Sequence, residues 1–276
     1  MSSTHPHPRI MGVVNVTPDS FSDGGQFLDH GAALAQARRL IADGADILDI
    51  GGESTRPGAA PVSEADEIAR VVPLIAAIRA ESGVTISIDT MKPAVARAAV
   101  VAGASLWNDV AALRFAPNTL GMAAPEVAAE LGCEVVLMHM LGAPGTMQDD
   151  PRYDDVVAEV EAFLLARALT AMAAGVAREK IWLDPGIGFG KTPAHNLALL
   201  AALPRFVALG YPVLLGASRK RFIAALDPLG AEPTARLGGS LAAHLHGAAC
   251  GVAAVRVHDV RETAQALAVW RAIGSV

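Results

Sequence analysis

The sequence predicts an α/β protein, a single-domain (β/α)8 barrel of the TIM type, and three observations carry that expectation. Eight β-rich runs alternate with Ala- and Leu-rich stretches of helical period over 276 residues. No linker or low-complexity segment divides the chain. Each β-rich run carries a polar group at or just past its C-terminal end. A doubly wound open sheet is the alternative arrangement. The barrel is expected over residues 9–273, with residues 1–8 as a disordered tail that lacks the apolar core of a signal peptide.

The elements follow in order. RIMGVVNVT (9–17) carries Asn15, and AALAQARRLIADGA (32–45) reads as a helix stopping at Gly44. ADILDIGG (45–52) carries Asp49 and is followed by Glu53; SEADEIARVVPLIAAIRA (63–80) is the next helix. VTISIDT (84–90) carries Asp89, and SLWNDV (105–110) carries Asn108 and Asp109. CEVVLMHM (133–140) carries His139, and KIWLDPG (180–186) carries Asp184. PVLLGAS (212–218) ends at Ser218 with Lys220 beyond it, and GVAAVRVHD (251–259) carries Arg256 and His258. Gly103, Gly175 and Gly210 fall where further helices should stop. In a closed parallel barrel all eight strand ends open on one face, so eight polar ends make a site.

Composition narrows the function. Hydrophobic residues make up 52% and aromatics 4%, which suits a large aliphatic core. The net charge is −6 with charges scattered, so no basic block points to nucleic acid or a membrane surface. The longest stretch free of Asp, Glu, Lys and Arg, residues 237–255, contains four glycines, two histidines and a serine, and reads as a helix followed by a strand rather than a membrane span. Cys133 and Cys250 show no pairing or zinc spacing, which fits a reducing cytoplasm.

The polar ends suggest a ligand. Arg256 and His258 lie two apart on a strand and point to the same side. With Arg56 in GGESTRPGAAP (51–61) and Lys220, they offer four cationic donors to an anion such as phosphate or pyrophosphate. Asp89, Asn108 and Asp184 are costly to bury unless they find partners. A ring with an amino group and ring N–H donors would satisfy them; a metal held by two Asp and a His is the other option. The loops 15–25 and 51–61 are long and dense in turn residues, as lids over a catalytic face are.

Other signals are discounted. DPGIGFGKT (184–192) fails the phosphate-loop pattern because Pro185 stands at its first glycine, and fails G-x-G-x-x-G because Lys191 stands last. His244 and His246, two apart in a helix, cannot share a face. His5 and His7 belong to the tail, and His139, Met138 and Met140 read as core.

Together, NVTPDSFSDGG, DIGGESTRPGA, SIDT, NDV, LMHM, DPGIGFGK, GASRKRF and RVHDV resemble the dihydropteroate synthase family in order and spacing, from about residue 9 to 273. That resemblance implies a barrel enzyme, usually a homodimer. It implies condensation of 6-hydroxymethyl-7,8-dihydropterin pyrophosphate with para-aminobenzoate, giving 7,8-dihydropteroate and pyrophosphate. It places Asp89, Asn108, Asp184 and Lys220 in a pterin pocket, with Met138 and Phe189 packing nearby. Arg256 should stack on the pterin and help hold the phosphates; Asn15, Arg56 and His258 should bind the pyrophosphate and its Mg2+, with Asn15 as the metal ligand. Phe21, Thr55, Pro57, Phe189 and Ser218 should form the para-aminobenzoate site, with Asp23 aiding loop closure.

Arg219 is expected to be structural; Arg221 and AALRFAPNT (111–119) are less typical of the family. The resemblance also implies a dissociative displacement and sensitivity to sulfonamides. Two rivals are weaker. A methyltetrahydrofolate:corrinoid methyltransferase-like barrel would keep the Asp/Asn/Asp pocket but has no need for STRP, SRK or RVHDV. A non-catalytic pterin-binding paralogue should have lost Asn15, Arg56, Lys220 or His258, all of which are present.

Overall fold

Eight parallel strands ring the protein: β1 (Arg9–Asn15), β2 (Ile47–Gly51), β3 (Thr85–Asp89), β4 (Leu106–Asp109), β5 (Glu134–Met138), β6 (Ile181–Asp184), β7 (Leu214–Leu215) and β8 (Ala254–Val257). This computed structural model describes residues 7–16, 30–53, 61–116, 119–142 and 145–274. The hydrogen-bonded order is β6-β5-β4-β3-β2-β1-β8-β7. A parallel bridge between Leu183 and Val213, with the Leu183 N–H donating to the Pro212 carbonyl at 2.9 Å, joins β6 to the start of β7. The sheet is therefore a barrel and not a doubly wound open sheet. Residues 1–6 of the expected tail lie outside the described residues; Pro8, assigned to that tail, is buried.

The helices are α1 (His30–Ala42), α2 (Glu64–Glu81), α3 (Pro93–Ala102), α4 (Ala124–Leu131), α5 (Val156–Ala173), α6 (Pro193–Ala201), α7 (Leu203–Val207), α8 (Arg221–Leu226), α9 (Leu237–Cys250) and α10 (Val260–Gly274). Their starts are chemically marked. Ser63 Oγ accepts from the Asp66 N–H at the head of α2, and the Asp155 side chain accepts from Val157 and Ala158 at the head of α5. A (β/α)8 pattern implies eight helices, and the described residues hold two short ones more. Pro204 has no N–H, so it interrupts the ladder of α6 and opens α7. The six-residue α8 follows β7 and buries Phe222 and Ile223.

Period-two alternation divides the barrel wall. Outward residues such as Leu48, Ile50, Ile86, Ile88, Val135, Leu137, Leu183 and Val255 pack against Leu74, Ile75, Leu164 and Phe206 of the helices. Inward residues Met11, Ile47, Leu106, Val136, Trp182, Leu214 and Ala254 make a separate apolar plug inside the barrel. The Arg9 guanidinium lies 4.7 Å from the Trp182 ring centroid, and Trp182 Nε1 donates to Glu134 Oε1 at 3.1 Å. Two residues further along, the same inward positions turn polar or lose their side chain on five strands, at Asp49, Asn108, Asp184, Gly216 and Arg256, while Met138 of β5 stays apolar. Apolar filling thus ends where the polar mouth begins. Residues 237–255 form α9 and the start of β8, as expected, and no helix among the described residues is long and apolar enough to cross a membrane.

One buried ion cluster braces the wall. Lys92 Nζ, at the head of α3, lies 2.8 Å from Glu53 Oε2 and 2.6 Å from Glu67 Oε2. Glu53 Oε1 also accepts from the Val62 N–H at 2.9 Å. Glu67 is fully buried, and burial pushes its carboxyl above the usual range despite Lys92. Replacing Lys92 with Met strands that carboxyl. The expected loss of stability is about 3–5 kcal/mol in urea unfolding; a loss below about 1 kcal/mol, the level of an exposed pair, would show that the cluster is not a brace.

Candidate active site

The register brings the strand ends into one mouth. Asn15 pairs with Gly51, Gly51 with Asp89, and Asp89 with Asn108, so three predicted site residues sit on one rung or beside it. Met138 pairs with Asp184 on the far side. Arg256 reaches from β8 into the barrel and clamps two strands. Its Nε donates to Asp49 Oδ2 at 2.6 Å, and its Nη2 donates to Asp89 Oδ2 at 2.7 Å. Asn108 Nδ2 donates to the same Asp49 oxygen at 3.1 Å. That bond assigns the amide: its nitrogen faces Asp49, and Oδ1 remains as an acceptor.

Asp184 Oδ1 accepts from the Gly186 N–H at 2.7 Å. Lys220 Nζ stands 4.1 Å from the Phe189 ring centroid. Phe189 in turn packs with Met91 against a buried cluster of Val110, Met138, Met140 and Met147. The result is an apolar wall beside a line of polar groups, the surface a flat heterocycle with donors on its edge requires.

The turn after β7 explains the pattern Ser218-Arg219-Lys220. Arg219 adopts φ +57, its Nε donates to Asp259 Oδ2 at 3.0 Å, and its Nη2 pairs with Asp259 Oδ1. The Arg219 N–H donates to Ser240 Oγ at 2.9 Å, and Arg236 Nη1 donates to the Arg219 carbonyl at 2.9 Å. Arg219 is therefore structural, as expected, and it fixes a corner from which Ser218 and Lys220 serve the mouth. The corner also shortens β7 to two residues, where the sequence suggests a strand over 212–218; Pro212 supplies no ladder donor and the chain leaves the ladder at Gly216. Arg221 is exposed at the start of α8.

Ser218 and His258 form a pair. The His258 N–H donates to Ser218 Oγ at 3.2 Å, and that hydroxyl lies 3.0 Å from His258 Nδ1. With Oγ accepting from the backbone N–H, its own proton is free to go to Nδ1, the arrangement that carries the ring proton on Nε2. Burial, with Arg256 and Arg219 beside it, pushes His258 down to about 3. Without a bound anion beside it, His258 therefore favours the neutral ring, and Arg256, Arg219 and Lys220 are the cations that act on it.

Burial works on four charged groups here. It raises Asp184 to about 6, opposed by the Gly186 N–H and Lys220. It raises Asp89 too, against the pull of Arg256. It lowers Lys220 to about 8, with Arg256 adding to the effect. Burial also opposes the charge on Arg256, but Asp49 and Asp89 outweigh it and hold the guanidinium well above its ordinary value.

The alternative metal cluster of two Asp and a His does not form: among the described residues no group of three or more His, Cys, Asp or Glu is placed to hold a metal. His139 instead bonds Lys191 at 2.9 Å. Asp109 turns away from the mouth, because neighbours on a strand face opposite sides. Its carboxylate takes the N–H groups of Ala111 at 2.7 Å and Leu113 at 2.6 Å, which turns the chain over 111–113 just after β4. His244 and His246 go separate ways: His244 Nδ1 meets Thr263 Oγ1 at 3.4 Å, and His246 Nε2 the Leu200 carbonyl at 2.9 Å.

Ten predicted residues therefore border one mouth: Asn15, Asp89, Asn108, Met138, Asp184, Phe189, Ser218, Lys220, Arg256 and His258. Phe21, Asp23, Thr55, Arg56 and Pro57 lie outside the described residues. Asp49, a polar strand end in the sequence, joins the site without having been expected there. The signal was its inward position, two residues beyond Ile47, which puts it within reach of Arg256.

A barrel with carboxylates, an amide and cations converging on an apolar wall has the makings of a pterin site, and residues 11–258 match the family model described as pterin binding enzyme. Within that class, the chain belongs to the dihydropteroate synthase family. Dihydropteroate synthase of Escherichia coli strain K12 is 48% identical over 266 residues, covering 96% of this chain and 92% of the relative. The Xanthomonas albilineans dihydropteroate synthase solved with 4-aminobenzoic acid superposes with a TM-score of 0.88 at 50% identity, covering 98% of this chain and 94% of that one. The same enzyme solved with 7,8-dihydropteroate gives 0.86 at 49%, covering 98% and 95%.

Proposed function

We infer that this mouth transfers a pterinylmethyl group from 6-hydroxymethyl-7,8-dihydropterin pyrophosphate to para-aminobenzoate, giving 7,8-dihydropteroate and pyrophosphate for folate biosynthesis. The observation that carries this reading is the clamp of Arg256 between Asp49 and Asp89, with the Asn108 amide turned by the same Asp49 oxygen. Asp184 accepts from the amino and ring N–H edge of the pterin, and the Asn108 Oδ1 accepts beside it. Lys220 donates to the ring's acceptor edge, while Met138 and Phe189 cover its face.

The arylamine is a weak nucleophile, so the difficult event is loss of pyrophosphate. The methylene C–O bond breaks and its electron pair leaves with the diphosphate. Positive charge on the methylene spreads into the ring, and the carboxylates of Asp89 and Asp184 favour it. Arg256, with the Nε2–H of His258 and with Arg56, binds the departing anion. The amine nitrogen then forms the new C–N bond and sheds a proton. Phe21, Asp23, Thr55 and Pro57, with Ser218, complete the arylamine side and keep water from the cation.

Mg2+ fits this chemistry. Asn15 would supply one amide oxygen, a hard donor of the kind a small divalent cation takes. When bound, it neutralises charge on the leaving diphosphate. Residues 9–273 act as one domain on small molecules. The family supports a homodimer, and the two free cysteines, Cys133 and Cys250, support the cytoplasm. Sulfonamides compete with para-aminobenzoate.

Purified protein with both substrates and Mg2+ yields a compound of the mass of dihydropteroate, and omission of either substrate abolishes it. No product from the complete mixture would end this reading. The pH profile is a second check. Asp184 must be ionised to accept, and Lys220 protonated to donate. Hence kcat/KM for the pterin pyrophosphate rises as pH passes about 6 and falls as it passes about 8. A flat profile from pH 5 to pH 9 would contradict these roles.

A further inference from the structure

The loop after β6 lies directly on the chain leaving β5. Gly186 and Gly190 adopt φ +69 and +64. A Cβ at Gly186 would collide with the His139 carbonyl oxygen, and one at Gly190 would come within 2.6 Å of the Leu141 carbonyl oxygen. Lys191 pins these two backbones together. It is 3% exposed, and its Nζ meets three acceptors: His139 Nδ1 at 2.9 Å, the Phe189 carbonyl at 3.0 Å and the His139 carbonyl at 3.3 Å. Burial lowers Lys191 to about 7, and in its ammonium form the three donors each find an acceptor. Burial, with the charge of Lys191 beside it, pushes His139 down to about 3, so its ring is neutral and Nδ1 can accept.

The same loop is held at other points. Gln148 Nε2 donates to the Gly188 carbonyl at 2.6 Å, Tyr153 Oη to the Gly190 carbonyl at 2.8 Å, and the Gly188 N–H to Asn196 Oδ1 at 2.6 Å. Between these anchors sits Phe189, whose ring carries the Lys220 ammonium on its face. An ammonium buried without a bonded carboxylate is costly, and a methionine would fill the same space more cheaply. The cost of Lys191 is matched by a bond to the one carbonyl that belongs to Phe189 itself.

We propose that Lys191 is a positioning residue for the transfer reaction: through the Phe189 carbonyl and His139 it sets the Phe189 ring, which in turn places Lys220 against the pterin. This inference rests on the function proposed above. Product formation by the unaltered protein is therefore measured first, and failure there would sink that function, whereas the variants below test only the positioning.

In the full chain, Lys191→Met raises KM for the pterin pyrophosphate about tenfold, the scale seen when a supporting bond to a functional residue is removed, while kcat stays within about twofold. Phe189→Leu has a similar effect, and the double variant is within about twofold of Phe189→Leu alone, because the two act through one contact. An unchanged KM in Lys191→Met, or effects that multiply in the double variant, would overturn the proposal. Should Lys191→Met fail to fold, His139 decides the matter. His139→Asn keeps an acceptor where Nδ1 stood and retains the original KM within about twofold, whereas His139→Leu raises it about tenfold. Equal KM values in those two variants would refute the proposal.

Discussion

Replacing Arg256 with Ala lowers kcat/KM for the pterin pyrophosphate about 10²–10³-fold, the loss typical when one preorganised donor to a developing anion is removed. The effect has two sources. The departing diphosphate loses a cation, and Asp49 and Asp89 lose the guanidinium that pairs with both. Two carboxylates left together in a shielded mouth favour protonation of one of them, and a protonated Asp89 no longer favours charge on the pterin methylene. Arg256→Lys separates charge from geometry. It keeps one positive centre but not the fork that holds two strands, so it recovers about tenfold of the loss and not the whole. The measurement is steady-state kinetics with the pterin pyrophosphate varied at saturating para-aminobenzoate. Turnover unchanged in Arg256→Ala would refute the assigned role.

Asp184→Asn is the second large effect, about 10²-fold in the same parameter, the scale of a lost hydrogen bond between a charged acceptor and its partner. Here the loss is geometric as much as electrostatic. Asp184 Oδ1 already accepts from the Gly186 N–H at 2.7 Å. An amide at this position keeps that bond with its oxygen and must then turn its NH2 toward the ring. Donor faces donor, and the pterin edge is left unpaired. The part of the acid limb assigned to a group at about 6 should vanish with it, while Asp89, which burial also raises, keeps its own. An Asp184→Asn variant that retains both its rate and its full acid limb would place the pterin edge elsewhere.

The fold was legible because two periods run through the chain. Leu48 and Ile50 facing out, and Ile47 and Asp49 facing in, follow from alternation alone. The mouth was legible because Asp89, Asn108, Asp184 and Arg256 stand at strand ends that a parallel barrel must gather. Three things were hidden. Pro204 reads as a helix former's neighbour until the chain restarts as α7. The charge of His258 depends on burial and on Ser218, which lies forty residues away. Lys191 and Lys92 look like surface lysines in sequence; only packing reveals that one bonds His139 and the other Glu67. Burial and partners are properties of three dimensions, and no local pattern states them.

The two-residue β7 has a final consequence. Leu214 and Leu215 are fully buried, yet the wall beside them is joined to β6 by one bridge. Side-chain packing, more than the backbone ladder, keeps this seam shut. Asp184 stands on one side of it and Lys220 on the other. A pterin gripped by both spans the join like a clasp. Amide hydrogens near Val213 should therefore exchange fastest with deuterium in the free protein and slow markedly once the pterin is in place.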